Sequence, residues 1–128
     1  MRSNQDDILT LTGIQHQVHA VARASGWWDE YDNGDATLKK HFIAGKIALV
    51  HSEVSEALEG FRKNLQDEHL PQFSSVAVEF GDAIIRMLDL AEGMGFNVEE
   101  ALLAKSAYTA RREDHKPAAR AAEHGKSI

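Results

Sequence analysis

No cysteine occurs in the 128 residues, which excludes disulfides, thiolate zinc sites and cysteine nucleophiles. Proline is scarce too, with two in the chain, and 43% of the residues are hydrophobic, a balance that suits a helical protein better than a disordered or all-β one. No run of 18 apolar residues exists, and the stretch from Met1 to Asp7 is polar and partly acidic. These features speak against a membrane span and a secretory signal and leave the cytoplasm as the expected location. An excess of positive charge is also missing: the net charge of −6 argues against a protein that wraps nucleic acid through its phosphates. Internal repeats and low-complexity segments are absent.

What remains is a chain of one domain's length, 1–128, with apolar residues at helical spacing. Leu11, Ile14, Val18, Val21 and Ala22 predict a first helix over residues 7–25, ended by Gly26. A loop carrying Trp27, Trp28, Tyr31 and Asn33-Gly34 follows. A second long helix is expected over 38–62, with Ile47, Val50, Val54, Leu58 and Phe61 as its buried stripe. Ser74 is the expected N-cap of a third, reaching about Met94, with Val76, Phe80, Ala83, Met87 and Met94 on one face. Val78 and Ile85 lie nearly opposite, without obvious cover, which predicts an interface between copies of the chain. Asn97 and Glu100 open a fourth helix to about Arg112, and 113–128 reads as an extended or weakly helical tail. Short connectors between long helices predict an all-α, four-helix antiparallel bundle subunit with a C-terminal tail.

Two carboxylate pairs stand out in this apolar setting. Glu53 and Glu56 share one face of the second helix, and Glu79 and Asp82 share one face of the third. Each pair falls on the same flank of its helix's apolar stripe, so antiparallel packing brings the four toward one pocket. Unpaired carboxylates beside a core repel and are costly to desolvate, so the arrangement points to a hard cation such as Mg²⁺. The bland alternative is a salt-bridged stripe, with Arg86 offsetting the acids along the line Glu79, Asp82, Arg86 and Asp89. A carboxylate-bridged di-iron bundle would need Glu-x-x-His on the inner helices; His51 is out of register for it.

The segments Glu53-Val54-Ser55-Glu56-Ala57-Leu58-Glu59 and Glu79-Phe80-Gly81-Asp82-Ala83-Ile84-Ile85 resemble the two signature motifs of MazG-like nucleotide pyrophosphohydrolases, members of the all-α NTP pyrophosphatase superfamily. The resemblance extends over residues 8–116. It takes in His19 followed nine residues later by Trp28, the Gly-Trp-Trp loop, and Lys105 to Arg112, which is similar to a Lys-x-x-x-Asn-x-x-Arg segment. It implies Mg²⁺, with Mn²⁺ as a substitute, held by Glu53, Glu56, Glu79 and Asp82. It further implies phosphate contacts from Lys105 and Arg112, nucleoside contacts from His19 and Trp28, and a homodimer or homotetramer. Tyr108, within the last segment, and Arg86 join the expected substrate-binding set. Thr109 stands where the pattern has Asn, and Arg86 where some relatives carry an aromatic residue near the base. Trp28 has plain packing as its alternative, and His19 a capped or solvated imidazole. Trp27 reads as a packing anchor.

The expected activity is Mg²⁺-dependent hydrolysis of nucleoside triphosphates to monophosphate and pyrophosphate, a house-cleaning role in the nucleotide pool. Glu53 or Glu56 is then the base that takes a proton from water. The rival is a non-catalytic helical module that binds a metal or a basic partner.

Overall fold

Four of the helix starts are dictated by one side-chain oxygen each. Thr10 Oγ1 accepts from Gly13 N at 2.9 Å, Asp35 Oδ1 from Leu38 N at 2.8 Å, Ser74 Oγ from Ala77 N at 3.2 Å and Asn97 Oδ1 from Glu100 N at 2.9 Å. Each satisfies an amide that no intrahelical carbonyl can reach. In the computed structural model, which describes residues 10–122, these caps open α1 (Leu11–Ala24), α3 (Ala36–Lys63), α4 (Ser75–Gly93) and α5 (Val98–Arg111). The expected start of the first helix at Asp7 lies outside the described residues. Between α1 and α3 the expected loop holds a single helical turn, α2 (Asp29–Asp32), and after α5 come a 3₁₀ turn (Glu113–His115) and α6 (Pro117–Arg120).

The ends of α1, α3 and α4 share one device. Trp27 N bonds Ala22 O while Gly26 N bonds Arg23 O; Leu65 N and Asn64 N bond Gly60 O and Phe61 O; Phe96 N and Gly95 N bond Ala91 O and Glu92 O. Gly26, Asn64 and Gly95 are the positive-φ residues that close these motifs, at φ 82°, 52° and 79°.

The fold is all-α, and no strand occurs among the described residues. It divides into two compact units, the first ending at Phe96 and the second starting at Asn97. In the first, α4 packs against both α1 and α3. Gly60 near the end of α3 meets Ser75 at the start of α4, while Glu53, two turns earlier, meets Arg86, so α3 and α4 run antiparallel. Gln15 reaches Glu92 and His19 reaches Asp89, so α1 and α4 are antiparallel as well. Helix α5 opens the second unit. Among the described residues no helix is long and apolar enough to cross a membrane.

The buried positions differ from the expected stripes. The face of α3 toward α4 is Glu53, Ala57 and Gly60, all buried, where small side chains let the backbones approach; a Cβ on Gly60 would lie 2.6 Å from Ser75 Oγ. Ile47, Val54, Leu58 and Phe61, expected in the core, are exposed, and Val50 is half-buried. Of the face expected on α4, Ala83 is buried, whereas Phe80, Met87 and Met94 are exposed and Val76 is half-buried. The physical reason is that the stripe and the small-residue seam are adjacent on each helix, and within one chain the seam makes the contact.

Candidate metal and ligand site

Antiparallel packing brings three carboxylates together. Glu53 and Glu56, one turn apart on α3, and Glu79 on α4 each offer an oxygen within 4.8 Å of the others. Asp82 stands outside this trio, lining the adjoining cavity with Glu53. The Glu79 carboxyl is pushed up to about 7, first by burial, then by the hydrogen bond it shares with Glu53 and the charge of Glu56. A protonated Glu79 can donate to Glu53; once ionised, its buried Oε2 faces no donor among the described residues. Burial is the largest single influence on Glu53 and works to raise it, but hydrogen bonds from Arg86 and Glu79 and the charge of Arg86 together outweigh it and hold Glu53 below the usual carboxylate range. Arg86 Nε donates to Glu53 Oε1 at 2.6 Å. Burial and the Glu53 charge raise Asp82, with Arg86 opposing.

Glu53 also belongs to a cavity of about 460 Å³ between α1, α3 and α4. Its apolar wall is Val18, Val21, Leu49, Ile85 and Trp27, and its charged groups are Lys46, Arg86, Glu53, Asp82 and Asp89. Ile85, expected at an interface between copies, therefore faces this cavity, because the turn that places Asp82 and Arg86 here carries Ile85 with them. Val78 is half-buried.

The two tryptophans take the reverse of their expected places. Trp28 is 1% exposed and lies against the end of α4, where a Cβ on Gly93 would come within 2.2 Å of its ring. Its ring is edged by His19, Tyr31 and Phe42, and its Nε1 donates to Asp89 Oδ1 at 2.9 Å. A ring so enclosed cannot stack on a ligand. Trp27 is 65% exposed, lines the cavity, and has Lys46 Nζ 5.7 Å from its ring centroid. Gly26 and Trp27 close the end of α1, and Gly93, which lacks a Cβ, leaves room for the Trp28 ring against α4.

His19 is likewise committed within the fold. Arg23 Nε, an obligate donor, gives to His19 Nε2 at 3.1 Å, so the ring's proton sits on Nδ1, which donates to Asp89 Oδ1 at 2.7 Å. With both nitrogens engaged, His19 orients Asp89 rather than offering itself to a nucleoside. Arg86, expected on the substrate, donates its Nε to Glu53 while its side chain lines the cavity.

In the second unit two basic residues flank one ring. Lys105 Nζ lies 5.0 Å and the Arg112 guanidinium 5.8 Å from the centroid of Tyr108, which is exposed. Arg112 Nε also donates to Asp114 Oδ1 at 2.9 Å, a hydrogen bond that raises its pKa.

The sequence reading missed Lys46, Leu49 and Trp27 as cavity residues. Lys46 and Leu49 precede Glu53 by seven and four positions, so extending the Glu53–Glu56 face two turns backward along the helix finds both. No protein-family profile, curated protein or solved structure matches the chain, and the family resemblance stands on its motifs.

Proposed function

We propose that the chain is a Mg²⁺-dependent nucleoside triphosphate pyrophosphohydrolase, releasing a monophosphate and pyrophosphate, and that it works as a homo-oligomer, a dimer at least. The observation that carries this reading is the crowding of Glu53, Glu56 and Glu79 within 4.8 Å, with a buried Glu79 oxygen lacking a partner among the described residues, beside a cavity large enough for a small ligand. An all-oxygen, anionic donor set of Glu53, Glu56 and Glu79 suits Mg²⁺, or Mn²⁺ in its place, and Asp82 lines the adjoining cavity. When bound, such a cation supplies charge neutralisation for a polyphosphate and acidifies water.

The chain's own groups account for the rest. A water oxygen bonds to phosphorus, one phosphoanhydride bond breaks, and the proton passes to a glutamate. Glu56, exposed and next to the trio's other members, is better placed for this than Glu53, which is tied to Arg86. Trp27 offers its face to a base, and Lys46, lining the same cavity, is the cation that meets a phosphate there.

One observation favours the rival reading of a non-catalytic metal- or partner-binding module: Arg86 and Arg112, two of the expected substrate-binding residues, are already paired with Glu53 and Asp114. Pyrophosphate release across a nucleotide panel, with and without Mg²⁺, separates the two. Wild-type activity is expected to need the metal. Glu56→Gln and Asp82→Asn should each lower it by at least about 10²-fold, the scale of losing one electrostatic contact to a transition state, with helical circular dichroism unchanged. No release from any nucleotide, or full activity in both variants, overturns the assignment.

A further inference from the structure

His19 and Trp28, expected against a nucleoside, converge instead on one oxygen of Asp89. The Trp28 indole donates to Oδ1 at 2.9 Å, and the His19 imidazole donates to the same atom at 2.7 Å. Two donors fill the lone pairs of that oxygen. No described residue donates to Oδ2, and it is not sealed off: the side-chain oxygen that is both buried and without a partner among the described residues belongs to Glu79. Asp89 lines the cavity, whose wall Val18, Val21 and Ile85 make apolar. Oδ2 is therefore the acceptor that this carboxylate offers to a ligand.

From this geometry we infer that Asp89 is a specificity residue, selecting a nucleobase that carries an exocyclic amine over uracil and thymine. The inference rests on the reading of the cavity as a nucleotide site and names the nucleotides it favours. A carboxylate accepts hydrogen bonds and has none to give. The amines of cytosine, adenine and guanine are donors that match it. Uracil and thymine carry a carbonyl where cytosine has its amine, so one oxygen would face another and neither would find a donor. Their single ring N–H lies between two carbonyls, and turning it toward Asp89 brings a carbonyl against the carboxylate as well.

The surroundings make Asp89 a fixed acceptor. The Trp28 ring is enclosed and Arg23 donates to His19, so both donors are themselves held. A carboxylate anchored through one oxygen presents the other in a set direction, and a preorganised acceptor loses little freedom on binding. Asp89 also stands seven positions beyond Asp82 on α4, roughly 10 Å along the helix axis. That distance leaves room for a sugar between phosphates on the side of Glu53 and Asp82 and a base against Asp89, with Trp27 as a wall. The negative charge of Asp89 turns a phosphate away from its own end of the cavity.

The test is the affinity of the whole chain, by isothermal titration with Mg²⁺ present, for the monophosphates of cytidine against uridine and of guanosine against xanthosine. Within each pair an amine is exchanged for a carbonyl. The amino member is expected to bind at least about 10-fold tighter, the scale of one hydrogen bond to a charged group. Asp89→Asn keeps an oxygen for Trp28 and His19 and turns the second position into an amide donor. It should close or reverse the preference. A loss shared equally by both members of a pair is what a purely structural Asp89 gives, and it overturns the inference. A wild type without preference in either pair overturns it too, whether or not the variant folds. Binding of none of the four at millimolar concentration overturns it together with the nucleotide reading of the cavity. The hydrolase reading fails separately. An amine preference without pyrophosphate release removes the hydrolase and keeps Asp89 as the selecting group. Release at equal kcat/KM from the cytidine and uridine triphosphates, and from those of guanosine and xanthosine, keeps the hydrolase and overturns the role of Asp89.

Discussion

Two polar clusters sit on α4 and differ in one respect. Around Asp89 the polar groups are matched: Trp28 and His19 donate to its Oδ1, and Arg23 donates to His19. Around Glu79 they are not: three carboxylates converge, Arg86 serves one of them, and a buried oxygen has nothing among the described residues to accept from. A satisfied network holds a structure together, and its loss is felt as instability. An unsatisfied one destabilises the chain that carries it and is explained by what it binds. The two clusters therefore predict opposite responses to mutation.

The largest effect belongs to the matched cluster. Trp28→Ala removes a fully enclosed ring from between α1, α3 and α4 and leaves Asp89 without the indole donor. A loss of about 3–5 kcal/mol in unfolding free energy is expected from urea titration, enough to unfold a marginal domain. A loss below about 1 kcal/mol would mean that the ring is not the packing centre and that the contrast between clusters fails.

The helix ends were legible in the sequence because capping is local. Ser74, Asn97 and Gly26 act within a few residues of themselves, and the backbone conformations that they need are set by their own chemistry. The convergence of Glu53, Glu56 and Glu79 was legible for a related reason: spacing on two antiparallel helices fixes which faces meet. The two tryptophans were not. Adjacent residues diverge by about 100° in a helical turn, and which of them turns inward is decided by Gly93, far along the chain, whose missing Cβ makes room for the indole of Trp28. The pairing of Arg86 with Glu53 was not anticipated: the bland alternative had Arg86 offsetting the acids of its own line, Glu79, Asp82 and Asp89, and sequence does not say which way a long side chain reaches. The apolar stripes were expected to be buried, and Ile47, Val54, Leu58, Phe61, Phe80 and Met87 are exposed instead, because periodicity marks an apolar face without saying which neighbouring face makes the contact.

A second prediction sharpens the contrast by reversing the sign. Glu79 titrates at about 7 in the folded chain against an ordinary value of 4.5. A carboxyl whose folded pKa is raised contributes its stability below about 4.5, and that contribution is lost as pH climbs through 7. Glu79→Gln should therefore stabilise the metal-free protein at pH 8, on the order of 1–2 kcal/mol after allowing for solvent screening, and change little at pH 4. Added Mg²⁺ should raise the melting temperature of the wild type at pH 8 and not that of the variant. Equal destabilisation at both pH values would place Glu79 among the structural groups, with Asp89.

The smallest effect separates the tryptophans themselves. Trp27 and Trp28 are neighbours in sequence, yet one lines the cavity and the other fills the core. If Trp27 stacks on a base, its contact is made equally in the bound ground state and in the transition state, so its loss should appear in KM and leave kcat unchanged. Base–aromatic stacking is worth roughly 1–3 kcal/mol in single-strand binding proteins, which corresponds to about one to two decades in KM. Trp27→Ala should also be nearly neutral for stability, within about 0.5 kcal/mol, since an exposed ring over Lys46 contributes little to packing. The measurement is kcat and KM on several nucleoside triphosphates, alongside urea unfolding of the same preparation. An unchanged KM for every nucleotide removes Trp27 from the ligand wall. A stability loss as large as that of Trp28→Ala would show instead that both rings belong to one packed unit, and that the cavity is lined by core rather than by a binding surface.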